Sequence, residues 1–95
     1  MFELRDAPFE IQELSHEGAG GFVSFVGKVR EESHGRRVLR LEYEAYPEMA
    51  LSEGKALANE AQARFGLLGV EIIHRTGVLQ IGETAVSIQV AAAHR

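Results

Sequence analysis

The sequence predicts an α+β domain in which helices pack on a mixed or mostly antiparallel sheet. Three observations lead to this prediction. The chain has 95 residues, which suits one small domain. Most of its apolar segments show the continuous or alternating pattern of strands, and two show the signals of helices. Several strands also follow one another without an intervening helix, which favours segregated rather than alternating elements.

The composition is that of a soluble globular protein, with 45% hydrophobic and 25% charged residues. No apolar run approaches the roughly 20 residues of a membrane span, and the acidic start "MFELRDAPFE" does not resemble a signal peptide. The net charge of −4 argues against nucleic acid as a partner, because phosphate binding usually needs a basic excess. We therefore expect one cytoplasmic domain over residues 1–95 that binds neither membrane nor nucleic acid.

Cysteine is absent, which excludes disulfides, thiolate metal sites and cysteine nucleophiles from this chain. Any sulfur chemistry would need a donor on another molecule. No two histidines have the helical spacing of metal ligands. We expect no metal and no other cofactor.

Two segments are predicted to be helical. Asp6 as N-cap and Pro8 in the first turn predict a short helix over about 7–16. Pro47 begins a longer predicted helix over about 47–65, which ends before a glycine. The residues expected to pack this longer helix on the sheet are Ala50, Leu57, Ala61 and Phe65.

The remaining apolar segments are predicted to be strands. The run from Ala19 to Val29 is almost continuously apolar, which predicts a central strand covered on both faces. Residues 38–46 alternate between apolar and charged side chains, as in a half-buried strand, and the intervening "EESHG" is predicted to be a polar loop. Further strands are predicted at "VEIIHRT", "GVLQIG" and "ETAVSIQVAAAHR", the last continuing almost to residue 95. The apolar face of that last strand comprises Val86, Ile88, Val90 and Ala92.

Positive charge is concentrated where the first apolar run ends. Half of the chain's ten Lys and Arg residues lie between Lys28 and Arg40, against two acidic residues. Lys28 and Arg30 are two positions apart and therefore share a face in extended backbone. They could clamp a compact anion such as a phosphate or a carboxylate, or they could be a solvated strand end.

Other polar residues give weaker signals. His94 shares the apolar face of the last strand by parity, where a histidine is usually structural, although a His-Arg pair at a strand end is also a common ligand contact. The same dipeptide occurs at His74–Arg75, so it indicates little alone. Glu42 and Glu44 share a face and could act as paired carboxylates, but the polar face of a half-buried strand explains them better.

The longest motifs resemble one known family. The segments "FVGKVREESHGRRVLRLEYEAYPEMA", "VEIIHRTGVLQIGE" and "AAAHR" follow the order found in the large, catalytic subunit of molybdopterin synthase, and the resemblance covers nearly the whole chain. It implies an α/β hammerhead-like fold and a sulfurtransferase of molybdenum cofactor biosynthesis. It implies conversion of cyclic pyranopterin monophosphate to molybdopterin with sulfur from the C-terminal thiocarboxylate of a small ubiquitin-like subunit. It also implies a homodimer that forms a heterotetramer with that subunit.

The resemblance assigns site residues as well. Lys28, Val29 and Arg30 match the family's first substrate-binding segment, and His94 and Arg95 match its second. The implied catalytic residues are Arg30, His94 and Arg95. The two arginines would hold the phosphate or a developing oxyanion, and His94 would orient the substrate or move a proton. Lys28 would assist electrostatically.

One departure from the family concerns the C-terminal side. The family continues past its "AHR" motif into a helix and a segment with essential pocket lysines, whereas this sequence stops at Arg95. Its two lysines, Lys28 and Lys55, match neither of those positions. The expectation is a C-terminally short large-subunit-like domain over residues 1–95. Two functions stay open, the synthase and a non-catalytic anion-binding or assembly module of the same fold.

Overall fold

The computed structural model describes residues 1–33, 36–37, 40–43 and 46–95. Within these ranges the chain forms strands and one helix. The elements are β1 (Phe2–Arg5), β2 (Gly21–Lys28), β3 (Glu32–Ser33), β4 (Arg36–Arg37), β5 (Arg40–Tyr43), α1 (Pro47–Phe65), β6 (Gly69–Arg75), β7 (Gly77–Gln80) and β8 (Thr84–Ala92). None of the described residues form a helix with the length and hydrophobicity that a membrane crossing requires.

The main sheet has four strands in the order β1-β6-β8-β2. β1 runs parallel to β6, whereas β8 is antiparallel to both β6 and β2. Two smaller ladders join β3 to β4 and β5 to β7, both antiparallel. Helix α1 packs against β1 and β6, at one end of the sheet. The predicted α+β class with a mixed, mostly antiparallel sheet is confirmed.

The bounds predicted for the long helix are confirmed. They could be predicted because local sequence signals mark both of its ends. Tyr46 is the N-cap, with extended backbone, and Pro47 occupies the first turn, where its missing N–H is not needed. Gly66 ends the helix in the left-handed conformation, at φ 61°, and donates its N–H to Gln62 O. A residue without a side chain adopts this conformation at little cost.

The face predicted to pack α1 on the sheet is wrong. Leu57 and Phe65 are 59% and 68% exposed, and the buried helical residues are Gly54 and Ala58. The ring of Phe2 on β1 lies so close to Gly54 that an added Cβ would overlap it. Small residues therefore allow the helix to approach the sheet closely, and the larger apolar side chains point away from this contact.

The short helix predicted over 7–16 is also wrong, since this segment has no regular secondary structure. The buried side chain of Gln89, on β8, accepts the N–H of Leu14 at 2.9 Å and donates to Gln12 O at 2.8 Å. The side-chain amide of Gln89 thus takes the place of a backbone hydrogen-bond partner for this segment. A helix of about ten residues is marginal alone, so these long-range hydrogen bonds prevail over the capping signals.

β2 is not central as predicted but lies at the end of the four-stranded sheet, next to β8 alone among the described strands. Its large apolar side chains are exposed on both faces of the strand. They are Phe22 at 51%, Val23 at 70%, Phe25 at 57% and Val26 at 38%. The continuous apolar run that predicted a covered strand therefore marks a surface that this chain leaves open.

β8 is an inner strand of the sheet, between β6 and β2. The face predicted to be apolar is only half-buried, and the alternate residues are the buried ones: Ala85, Ser87, Gln89 and Ala91. Polar residues can lie on this face because at least Gln89 has hydrogen-bond partners there. The strand ends at Ala92, so the parity argument does not apply to His94.

The segment predicted as strand 38–46 is confirmed at β5, and its partner is β7. Residues 38, 39, 44 and 45 and the predicted faces of this strand lie outside the described residues. The polar loop "EESHG" is in part a ladder, since β3 pairs with β4. Residues 34 and 35 of it lie outside the described residues.

Candidate functional site

The "GKVR" segment lies where β2 ends and is held there by the connection between β7 and β8. Val29 donates its N–H to Glu83 O at 3.0 Å and accepts the N–H of Gly82 at 2.8 Å. Its side chain is 4% exposed and belongs to a buried cluster with Leu79 and Ala85. Both polar backbone groups of Val29 and its side chain are therefore engaged by the rest of the domain.

Lys28 and Arg30 are exposed on either side of the buried Val29. The pairing with β8 shifts here, because Gly27 pairs with Val86 and Lys28 with Thr84. Such a bulge re-aims side chains and ends regular pairing. The two cations thus project from a backbone that is fixed between them.

An ion pair joins the end of β6 to this connection. The Nη1 of Arg75 lies 2.7 Å from the Oε2 of Glu83, and its Nη2 donates to Val78 O at 3.3 Å. Sequence reasoning gave no role to Arg75, because its dipeptide also occurs elsewhere in the chain. Arg75 has the same strand parity as the buried Ile73, but so does Glu71, which is not buried, so parity alone gave no usable signal.

His94 and Arg95 are exposed beyond the end of β8, beside the glycines that precede and begin β2. Gly20 donates its N–H to Ala93 O at 3.1 Å, and an added Cβ would lie 2.7 Å from that oxygen. A Cβ on Gly21 would lie 3.1 Å from the Cα of Arg95. This close backbone approach needs glycine, a role that sequence reasoning missed for "GAGG".

The structure does not bring the two predicted segments together within one chain. Gly21 pairs with Ala92 at one end of β2, and Lys28 pairs with Thr84 at the other. Eight residues of strand at about 3.3 Å per residue separate these ends by about 23 Å. A single monophosphate therefore cannot contact Arg30 and Arg95 of the same chain. Among the described residues no group of three or more His, Asp or Glu side chains could hold a metal.

Known proteins share both the sequence and the fold. A family model described as MoaE protein matches residues 4–95. A molybdopterin synthase catalytic subunit of Pyrococcus abyssi is 45% identical over 91 residues, which cover 92% of this chain and 62% of that relative. Its counterpart in Bacillus subtilis is 39% identical over 98 residues, which cover 99% of this chain and 62% of that relative.

The structure of molybdopterin synthase from Staphylococcus aureus superposes with a TM-score of 0.88 at 35% identity, covering 99% of this chain and 72% of that one. The chain spans about 62% of the length of the two curated relatives above. The match to the family model nevertheless extends over almost all of its residues. With this match and these identities, the chain belongs to the MoaE family.

Proposed function

We propose that this chain acts in molybdenum cofactor biosynthesis as the catalytic subunit of a molybdopterin synthase. Its substrate is cyclic pyranopterin monophosphate, and a small ubiquitin-like subunit supplies sulfur from a C-terminal thiocarboxylate. The observation that carries this proposal is the fixed pair of exposed cations, Lys28 and Arg30, on a chain of the MoaE family. A compact cationic site fits the phosphate of a monophosphate substrate.

Substrate contacts at the first segment come from side chains rather than backbone. The N–H and the C=O of Val29 both form hydrogen bonds within the protein, so Val29 contributes by positioning Lys28 and Arg30. The planar guanidinium of Arg30 suits two phosphate oxygens at once, and Lys28 adds a point charge.

The second segment contributes a cation and a titratable ring. Arg95 holds the phosphate or an oxyanion that develops during transfer, and His94 orients the substrate or moves a proton. The chain contains no cysteine, so the sulfur comes from the second protein. After each sulfur transfer, the terminal group of that protein is a carboxylate, and its new oxygen atom comes from water.

The two segments form one site only if two copies of the chain associate. A two-fold axis that pairs β2 with its own copy in antiparallel orientation brings Lys28 of one copy opposite Gly21 of the other. His94 and Arg95, at the end of β8, then lie about 10 Å from the cations of the other copy, which is two strand spacings. The exposed apolar side chains of β2 support such a pairing, because an open apolar strand edge is otherwise prone to aggregation.

Calorimetric titration with cyclic pyranopterin monophosphate tests the phosphate site. Arg30→Ala is expected to weaken binding by about tenfold or more, because a charge-assisted hydrogen bond contributes about 1.5–3 kcal/mol. The matched control is Arg64→Ala, an exposed arginine in the last turn of α1 that stacks on Phe65. Equal losses in both variants that disappear at high salt would indicate diffuse charge attraction and contradict the site.

A mixing experiment tests whether two copies share the site. Arg30→Ala and Arg95→Ala are each expected to bind poorly alone. After the two variants are unfolded and refolded together, half of the dimers are mixed and each has one intact site, so about a quarter of the sites recover. Recovery of none would contradict a site built from two copies.

A sulfur-transfer assay with the thiocarboxylated small subunit separates the two open functions. Turnover supports the synthase. Normal pterin binding without turnover would instead favour the non-catalytic anion-binding module of the same fold. The readout is molybdopterin formed per subunit, with Arg30→Ala as the negative control.

A further inference from the structure

The connection that holds Val29 is itself held by a buried charge. Arg75 is 2% exposed, and its partner Glu83 is the residue whose backbone oxygen accepts the N–H of Val29. Gly82, next to it, donates to Val29 O and has a φ of +85°, in the left-handed region. The carboxylate that bonds Arg75 and the carbonyl that bonds Val29 therefore belong to one residue.

This ion pair is a costly way to gain stability. The Nε of Arg75 is buried and has no hydrogen-bond partner in the part of the chain that the structure describes. Buried ion pairs are often no more stabilising than apolar residues of the same size, but they fix geometry. Here the guanidinium fork bonds two points, Glu83 Oε2 in the connection and Val78 O on β7.

We propose that the Arg75–Glu83 ion pair positions the phosphate-binding cations. Arg75 holds the side chain of Glu83, Glu83 and Gly82 hold the backbone of Val29, and Val29 fixes where Lys28 and Arg30 project. Arg75 is buried and Glu83 bonds Arg75 and the backbone of Val29, so both act in this proposal as positioning residues. The inference rests on the proposed function only in taking Lys28 and Arg30 as the phosphate site.

The test measures two quantities in the same variants, amide hydrogen exchange by NMR and binding of cyclic pyranopterin monophosphate by calorimetry. The exchange reporters are the N–H groups of Val29 and Gly82, compared with that of Ile72, which bonds Met1 O. Glu83→Ala removes the carboxylate, whereas Glu83→Gln keeps an oxygen that can accept from Arg75. The matched control is Glu3→Ala, which breaks the exposed Arg5–Glu3 pair on β1.

Glu83→Ala is expected to speed exchange at Val29 and Gly82 by about tenfold relative to Ile72, and to weaken pterin binding by a similar factor. Glu83→Gln should stay close to the unmodified protein in both quantities, and so should the control. If Glu83→Ala does not fold, Arg75→Met/Glu83→Ala replaces it with the same expectation, because it leaves no unpaired buried charge.

Four results would overturn the inference. An equal rise in the exchange rates of Val29, Gly82 and Ile72 would mean that the ion pair only stabilises the domain as a whole. Stronger binding in both the Ala and the Gln variants would mean that the charge of Glu83, not its position, affects the anion. Unchanged binding in Glu83→Ala, with weaker binding in Arg30→Ala, would leave the phosphate site intact and reject positioning. Unchanged binding in both would reject the proposed site and the inference with it.

Discussion

The contact between α1 and the sheet and the surface of β2 use apolar residues in opposite ways. At the helix contact the buried residues are Gly54 and Ala58, the smallest available. On β2 the aromatic side chains of Phe22 and Phe25 are more than half exposed. In these two regions, burial thus follows the distance between backbone elements rather than the size of the side chain.

The difference also separates two kinds of surface. The helix contact is closed within one chain, because close backbone approach leaves no room for larger groups. The apolar surface of β2 has no such cover among the described residues. Exposed apolar patches of this kind usually mark an interface. The proposed pairing of two copies through β2 uses this surface.

The largest effect is expected for Phe25→Glu, which places a charge on the apolar surface of β2 and should weaken the proposed dimer by at least about a hundredfold. Each of the two copies loses a buried phenylalanine, worth about 1.5–3 kcal/mol, so the losses double across a two-fold interface. The control is Phe65→Glu on α1, where the phenylalanine is also more than half exposed. Sedimentation velocity measures the dimer content of both variants. A monomeric unmodified protein, or a dimer that survives Phe25→Glu, would contradict an interface at β2.

A smaller but definite loss of stability is expected for Gly54→Val. The added side chain collides with the Phe2 ring, and overpacking of a close contact costs about 1–3 kcal/mol. Urea unfolding monitored by circular dichroism gives the free energy of unfolding. The control is Ala56→Val, at an exposed position of the same helix. Its free energy of unfolding should fall by only about a few tenths of a kcal/mol. Valine has a higher helix propensity than glycine, so an unchanged or increased stability of Gly54→Val would contradict the close contact.

The smallest effect is expected for Leu57→Ala. The leucine is 59% exposed, so truncation leaves no cavity and should change stability by no more than about 0.5 kcal/mol. The same unfolding experiment measures it. A loss of 2 kcal/mol or more, the range of buried leucines, would restore the face first predicted from the sequence.

The sequence predicted what local signals determine. The ends of α1 follow from Pro47 and from the glycine after Phe65, since caps act within one turn. The strand β1 and the course of residues 7–16, which have no regular secondary structure, could not be predicted in this way. Their partners lie about 70 residues away, as in the pairing of Phe2 with Ile72 and the bonds from Gln89.

The candidate site was predictable to the same extent. Lys28 and Arg30 stood out because they interrupt an apolar run, and they lie where the strand ends. The hydrogen bonds that fix the backbone of Val29 could not be predicted, because its partners Gly82 and Glu83 follow more than 50 positions later. The separation of the two segments by the length of β2 also needed the strand register, which no motif encodes.

The place of β8 in the sheet affects how the chain can fold during synthesis. β8 pairs with both β6 and β2, yet it comes last along the chain among the described strands. While the ribosome is still making it, β2 has left the exit tunnel without its partner, and the backbone groups that pair with β8 have no ladder to join. Sheets built from such distant pairings form slowly, and unpaired strands aggregate at this stage. A nascent chain of this domain is therefore expected to need chaperone protection until its final strand emerges.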